Sequence, residues 1–339
     1  MHAGRKYSLT EFILWTRTDV YWLIGLAIIP TTLYQLLGRT WLAIPWVPIA
    51  MIGTAAAFIV GFKNNATYSR LWEARQIYGA IVNLSRTWGI LVRDFIPTPT
   101  SGVPLTPDEC HQLHQALIFR HMAWLTALRF QLREPRVWEN MNQPRNVEYA
   151  RLYEIPEKNS SLAEELKPFL SPQEQTSILS KKNRATQLIS LQSKQLRELV
   201  DRGLLDDFRY VTLATLLKEL YDQQGKCERI KNFPYPRQFA SINLFFIRLF
   251  VFLVPFGLLQ EFAKMGEHYV WLTIPFSVMV SWVFNSMERV GESTENPFEG
   301  SPNDVPITAM SRTIEIDLRE MLDETELPPA LQPVNNILM

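Results

Sequence analysis

Cysteine is scarce in this chain: its 339 residues include only two, Cys110 and Cys227. This argues against a disulfide framework, and both residues are most simply interpreted as buried free thiols. Excess charge is also missing, because 34 basic residues balance 34 acidic ones. A neutral chain offers no steering field for a polyanion, so we expect no nucleic-acid partner.

The motifs of common enzymes are absent as well. The chain has no Gly-rich phosphate loop, no HExxH and no Gly-x-Ser-x-Gly elbow. One cluster, Cys110, His111, His114 and His121, could share a metal on a helix face. No acidic or cysteine partner completes it locally, so an ordinary polar helix face is the favoured interpretation. We expect neither an enzyme nor a bound metal or cofactor.

Long apolar runs, by contrast, occur four times, although the mean hydropathy of the whole chain is close to zero. Two of them, residues 21–37 and 41–62, are separated by three residues. The other two, residues 240–259 and 269–287, are joined by a short polar link. Each run is long enough to cross a hydrocarbon layer about 30 Å thick. The sequence therefore predicts two transmembrane hairpins in an all-α protein.

The distribution of basic residues predicts which side of the membrane each segment faces. Lys63, Arg70 and Arg75 follow the second run directly, whereas the links 38–40 and 260–268 carry one basic residue each. Because basic residues accumulate on the cytoplasmic side, we expect the termini and the long central region to be cytoplasmic. The predicted order is a cytosolic N-terminal segment 1–19, a transmembrane hairpin 20–62, a cytosolic helical domain 63–238, a second hairpin 239–290 and a cytosolic C-terminal segment 291–339.

One helical pattern without proline runs from Pro48 to Pro97 and keeps a single face throughout. Within the apolar run this face carries Val47, Met51, Thr54, Phe58 and Phe62, and beyond it Asn65, Ser69, Trp72, Gln76, Ala80, Asn83 and Thr87. An apolar ring that leads into a wet vestibule is the arrangement of a hydrophobic gate. The alternative is that Phe58 and Phe62 fill the interior of a helical bundle, which is the commoner role of an aromatic stripe.

The third run contains a charged residue, Arg248. A charge inside a membrane span is costly and usually faces protein or water. We expect Arg248 to pair with Glu288 or Glu292, near the end of the fourth run, or with a lipid headgroup if it lies shallow, and we favour such a structural pair over an ion site.

Residues 61–79, GFKNNATYSRLWEARQIYG, resemble the signature of the bestrophin family in its bacterial and plant-type form. Residues 120–133, 227–236 and 295–307 resemble further family blocks in the same order, and together they cover nearly the whole chain. The resemblance implies a homopentameric ion channel with one axial pore, in which each subunit contributes four spans and a largely cytosolic helical body. Its partners would be further copies of the chain, the lipid bilayer and small inorganic ions.

The resemblance also implies roles for individual residues. The three neck-lining positions of the second span fall on Thr54, Phe58 and Phe62, in agreement with the phase of the helical pattern. We expect the cytosolic vestibule to be lined by Asn65, Ser69 and Gln76. A second aperture falls on Val211, which without the resemblance would be interpreted as a buried helix position.

The segment at Asn296 departs from the animal members of the family. Those members carry an acidic run that completes a calcium clasp, but here only Glu299 and Asp304 lie nearby. Hard cations need several carboxylate or carbonyl oxygens, so we expect no calcium site. Asn296 and Pro297 are interpreted as a structural turn.

The family alone does not fix the sign of the ion, because animal and plant members pass anions while bacterial relatives include sodium-type channels. The partially positive edges of two Phe rings favour a dehydrated anion, so we expect chloride or another small monovalent anion. A monovalent-cation channel of the same fold and a non-conducting membrane scaffold are the alternatives. In a bacterium we expect the inner membrane, with both termini cytoplasmic.

Overall fold

The computed structural model of the chain describes residues 1–97 and 105–339. Helices make up its regular structure, and these two ranges contain no β-strand beyond isolated bridges that involve Ile337. The prediction of an all-helical protein is confirmed. The α-helices are α1 (Leu9–Leu37), α2 (Trp46–Phe95), α3 (Pro107–Arg133), α4 (Pro144–Tyr149), α5 (Pro156–Asn159), α6 (Leu162–Leu166), α7 (Pro172–Leu179), α8 (Arg184–Asp201), α9 (Asp207–Asn232), α10 (Arg237–Met265), α11 (Thr273–Glu292) and α12 (Ile307–Glu320).

Four helical stretches are long and apolar enough to cross a membrane, judged by length and composition. They are Trp15–Leu37, Thr40–Phe95, Arg237–Met265 and Glu267–Glu292, and they contain the four apolar runs of the sequence. Gly38 ends α1 in the left-handed conformation, with φ +61°, which makes the short link to the second stretch possible. The second stretch contains α2, a helix of 50 residues with Pro48 in its first turn, and no proline after that turn interrupts its continuation beyond the apolar run.

The chain divides into two compact units. The span unit consists of Gly4–Leu71 and Pro234–Glu295, and the helical body consists of Met1–Ala3, Trp72–Phe233 and Asn296–Met339. Because the division falls after Leu71, α2 contributes its first half to the span unit and its second half to the helical body.

The core of the span unit forms where one face of α2 packs against α1 and α10. A cluster of small and aliphatic side chains fills this contact: Leu23, Ala56, Val60, Ile247 and Val251. At Gly53 a Cβ atom would lie 2.5 Å from the ring of Phe250, so only glycine permits this close approach of α2 to α10. This face of α2 is therefore buried by packing within the chain.

The core of the helical body is built around α3. Its arginines are buried and paired: Arg129 Nη1 donates to Glu157 Oε1 at 2.6 Å, and Arg133 Nη1 donates to Asp304 Oδ2 at 3.0 Å. Burial alone would raise the pKa of Glu157, but Arg133 and Arg129 hold it below its usual value. These charges satisfy one another inside the body.

The two cysteines are free, but only Cys227 is buried, and Cys110 is half-buried. Burial raises the pKa of Cys227, which makes its thiol inert. Cys110 Sγ lies 3.7 Å from His114 Nε2, whereas His121 bonds to Ser85 in the core. Over residues 1–97 and 105–339, no three His, Cys, Asp or Glu side chains form a group suited to a metal ion.

Burial also determines the protonation state of His121. Its side chain is fully buried between the rings of Trp88 and Trp124, whose centroids lie 6.0 Å and 5.2 Å from the imidazole, and its Nε2 lies 2.9 Å from Ser85 Oγ. Burial lowers the pKa of His121 to about 3, so the folded protein keeps this imidazole neutral.

We predict that His121 makes the protein less stable in mild acid. In the unfolded chain the imidazole takes up a proton below pH about 6.5, which favours unfolding by about 2 kcal/mol at pH 5. Thermal unfolding of the purified protein between pH 8 and pH 5 measures the effect. In His121→Gln, which keeps a hydrogen-bonding group near Ser85, this part of the pH dependence is lost. Parallel pH profiles for variant and wild type would contradict the prediction.

Candidate functional site

The predicted neck residues lie on the face of α2 that the subunit leaves uncovered. Phe58 is 68% exposed and Phe62 is 62% exposed, and Thr54 is exposed on the same side of the helix. The two rings contact each other edge to face, with centroids 4.6 Å apart and an interplanar angle of 88°. Because the helices of residues 1–97 and 105–339 leave them exposed, these rings do not fill the interior of a bundle within one chain.

The uncovered face continues toward the start of α2. Val47 and Met51 are also largely exposed, whereas Ala56 and Val60, on the other side of the helix, are fully buried. A row of exposed apolar side chains within a membrane span requires either lipid or another protein surface as its environment. The row therefore marks the part of the span unit that faces lipid or another protein surface.

Two hydroxyl groups on this face are turned back onto the helix. Thr54 Oγ1 donates to the carbonyl of Ala50 at 2.9 Å, and Ser69 Oγ donates to the carbonyl of Asn65 at 2.8 Å. Each hydroxyl proton is thus used within α2, and the remaining lone pairs of each oxygen are left as acceptors. Asn65 and Ser69 are exposed in the span unit, and Gln76 is exposed on the same helix in the helical body.

Val211 lies on an exposed face of α9 and is 60% exposed, so it is not the buried helix position that its sequence context suggests. Phe208, one turn earlier, is 90% exposed. Asp206 caps the helix by accepting the N–H of Arg209 at 3.0 Å, and the guanidinium of Arg209 lies over the ring of Phe95. The first turn of α9 is thus fixed while Phe208 stays uncovered. Phe208 lies three residues before Val211, and this helical spacing is the signal in the sequence that the two residues share a face.

Asn296 and Pro297 form a buried turn within the helical body. The N–H of Val305 donates to the carbonyl of Pro297 at 3.2 Å, and the N–H of Glu299 lies 3.5 Å from the carbonyl of Asn296. Both residues are almost completely excluded from solvent. Their backbone carbonyls therefore hold the following residues in place.

The two acidic residues of this turn are engaged by the protein itself. Asp304 Oδ2 accepts the N–H of Gly300 at 2.6 Å and Arg133 Nη1 at 3.0 Å, and Asp304 Oδ1 accepts the hydroxyl of Ser301 at 2.5 Å. Burial and the nearby Asp304 carboxylate raise the pKa of Glu299 well above its usual range. Glu299 Oε2 accepts the backbone N–H of Asn140 at 2.8 Å, so both carboxylates are engaged by groups of the protein.

A buried ion pair lies immediately after the neck residues on α2. The ammonium of Lys63, which follows Phe62, bonds to the carboxylate of Glu288, and the same carboxylate accepts the side-chain amide of Asn243. Of the partners expected for Arg248, Glu288 is therefore occupied by Lys63, and Arg248 is exposed. The missed signal is the helical phase of Lys63, which lies about 100° from Phe62 and so on a buried side of the helix.

Residues 13–320 match the family model described as Bacterial/Fungal Bestrophin protein. A voltage-dependent anion channel-forming protein of Escherichia coli (strain K12) is 29% identical over 287 residues, which cover 84% of this chain and 80% of the relative. A protein of the same description from Ralstonia nicotianae is 28% identical over 280 residues, covering 83% and 78%. The crystal structure of a bacterial bestrophin homolog from Klebsiella pneumoniae matches with a TM-score of 0.75 at 25% identity, covering 91% of this chain and 99% of that chain.

The buried contacts of Asp304, which follows the turn at Asn296, lead to a prediction about stability. We predict that Asp304→Asn destabilises the protein by about 3 kcal/mol, because it removes a counter-ion of the buried Arg133 guanidinium. The melting temperature of the purified protein in one detergent measures the loss. Glu198→Gln, which breaks the exposed Lys194–Glu198 pair on α8, serves as the control and leaves the melting temperature unchanged. Equal losses in the two variants would contradict the role of Asp304.

Proposed function

The chain belongs to the bestrophin family, and we propose that it forms a homopentameric ion channel whose neck is lined by Thr54, Phe58 and Phe62. The channel passes chloride or other small monovalent anions without catalysing a reaction. The observation that carries this proposal is the uncovered aromatic face of α2, which lies within a membrane span but is not buried by its own subunit. Five copies around one axis, the assembly that the bestrophin resemblance implies, would turn these faces into a single passage.

Each segment of the chain has a place in this assembly. The hairpins 20–62 and 239–290 cross the bilayer, which in a bacterium is the inner membrane. The cytoplasmic parts are the segment 1–19, the domain 63–238 and the segment 291–339. Asn296 and Pro297 keep the role of a structural turn in the last of these segments.

The neck acts by partial dehydration of the ion. Two successive rings of Phe58 and Phe62 side chains offer no hydrogen bonds, and such apolar constrictions gate by expelling water. The edges of the phenyl rings carry partial positive charge, so edges that face the passage stabilise an anion that has lost part of its hydration shell. The description of the two bacterial relatives as anion channel-forming proteins supports this sign.

Beyond the neck, α2 changes from apolar to polar side chains, and we propose Asn65, Ser69 and Gln76 as the lining of a hydrated vestibule. Their exposure within the subunit supports this role. Val211 is proposed for a second constriction at the cytosolic end, which its exposure also supports.

One observation favours a second candidate, a channel for monovalent cations with the same fold. The hydroxyl protons of Thr54 and Ser69 are donated to the backbone of α2, so their oxygens present lone pairs outward. Rings of oxygen lone pairs coordinate cations better than anions. Two features of α2 therefore favour opposite signs of the permeant ion. The edges of the phenylalanine rings favour an anion, and the oxygens of the hydroxyl groups favour a cation.

We predict that the purified protein in a planar bilayer with a KCl gradient gives a reversal potential near the chloride equilibrium potential. Phenyl edges in the neck lower the energy of a partly dehydrated anion more than that of a cation. A value near the potassium equilibrium potential would overturn the anion proposal in favour of the cation channel. Silent bilayers with verified incorporation would overturn both and favour a membrane scaffold.

We also predict that Phe58→Ala raises the single-channel conductance severalfold, because a shorter side chain widens the narrowest apolar part and lowers the dehydration barrier. The recording uses symmetric KCl. Phe245→Ala is the matched control, since Phe245 is an equally exposed ring of α10, and we expect its conductance to equal that of wild type. A neck role for Phe58 fails if both variants behave alike.

A further inference from the structure

The stretch of α2 that follows the neck is held against α11 by a row of polar contacts. The ammonium of Lys63 bonds to Glu288, and Asn64 Nδ2 donates to the carbonyl of Met287 at 3.0 Å. One turn further along, Thr294 Oγ1 donates to Thr67 Oγ1 at 2.9 Å. Positions 63, 64 and 67 lie on one side of a helix, so the row binds a single face of α2.

The ion pair in this row is almost completely removed from solvent. The side chain of Lys63 is 4% exposed and that of Glu288 is 10% exposed. Asn243, which is fully buried on α10, donates to the second oxygen of the Glu288 carboxylate. Loss of either charge would leave the other one buried and uncompensated, which strongly destabilises the packing around it.

A glycine of α11 lies beside this row. A Cβ atom at Gly291 would overlap Asn64 Oδ1, so a larger residue at this position would displace the side chain of Asn64 from its place against α11. On the other side of α11, Arg289 Nη1 donates to the carbonyl of Trp15 at 2.5 Å and Arg289 Nη2 lies 2.6 Å from Asp19 Oδ1. The α11 helix is therefore anchored to α1 as well, and does not simply follow α2.

We propose that Lys63 is a positioning residue of the ion pathway, whose bond to Glu288 and Asn243 sets the rotation of α2 and so directs the ring of Phe62 toward the passage. This inference rests on the proposed function. Lys63 lies next to Phe62 and about 100° around the helix, so a buried Lys63 leaves Phe62 on the uncovered side. Because Glu288 neutralises its charge, Lys63 acts on permeation through the position of the ring.

Two opposite charge changes distinguish this role from an electrostatic one. Lys63→Met removes a positive charge and Glu288→Gln removes a negative one, so an electrostatic role would shift the chloride-to-potassium permeability ratio in opposite directions. A positioning role predicts that Lys63→Met and Glu288→Gln both change the single-channel conductance in the same direction, by about two- to tenfold. The double charge reversal Lys63→Glu with Glu288→Lys restores the pair and brings the conductance back toward wild type.

A double-mutant cycle tests whether Lys63 acts through Phe62. When Phe62→Ala has removed the ring, we expect Lys63→Met to cause no further change in conductance, whereas independent effects would multiply. Gly291→Ala, which displaces Asn64 and leaves every charge in place, is expected to change conductance in the same direction as Lys63→Met. This variant keeps the inference testable if the charge variants fail to fold. Lys264→Gln, at an exposed pair on α10, is the charge control and leaves conductance unchanged.

The outcomes separate this inference from the proposed function. Silent wild-type protein would overturn the channel itself. If the wild type conducts and responds to Phe58→Ala, the channel stands. Opposite shifts in permeability ratio for Lys63→Met and Glu288→Gln, or no change in either variant, would then overturn only the positioning role. The positioning role would also be overturned if the effects of Phe62→Ala and Lys63→Met on conductance multiply in the double variant.

Discussion

The span unit depends on one buried ion pair, between Lys63 of α2 and Glu288 of α11. Charges and polar groups are costly when they are buried without a partner, so a helix that carries them has to satisfy them with a neighbouring helix. Glu288 does so for α2 and α10, and the next residue, Arg289, does so for α1. Two consecutive residues of opposite charge thus join α11 to the other three spans of the subunit.

With α2 held in this rotation, its two faces take different roles. The face with Gly53, Ala56 and Val60 packs inside the subunit, where small side chains allow α10 to approach closely. The face with Phe58 and Phe62 stays uncovered and becomes available to an assembly. A helix with 3.6 residues per turn separates these faces without any break in its backbone, so the surface that holds the fold and the surface proposed for ion passage belong to the same turns of α2.

The features that sequence analysis predicts are those encoded locally. The four apolar runs and the exposed stripe of α2 follow from hydropathy and helical period within a single segment, and the structure contains helices at these places. The pairing of Lys63 with Glu288 joins residues that are distant in the chain, and helical phase gives only the side on which a residue lies, without its partner. For that reason the sequence leaves Glu288 open as a partner of Arg248, although Lys63 occupies it in the structure. The exposure of Val211 and Phe208 depends on how α9 packs in the helical body, which local periodicity does not record.

The distance between the two partners along the chain has a consequence for biosynthesis. Lys63 emerges from the ribosome 225 residues before Glu288. Until α11 has been synthesised, the ammonium of Lys63 lacks this counter-ion and has to remain at the water boundary, which the long lysine side chain can reach. The first hairpin can therefore reach its final packing only after the last span has been inserted, and a nascent chain that stops short of α11 leaves α2 in a different position from the one it has in the finished protein.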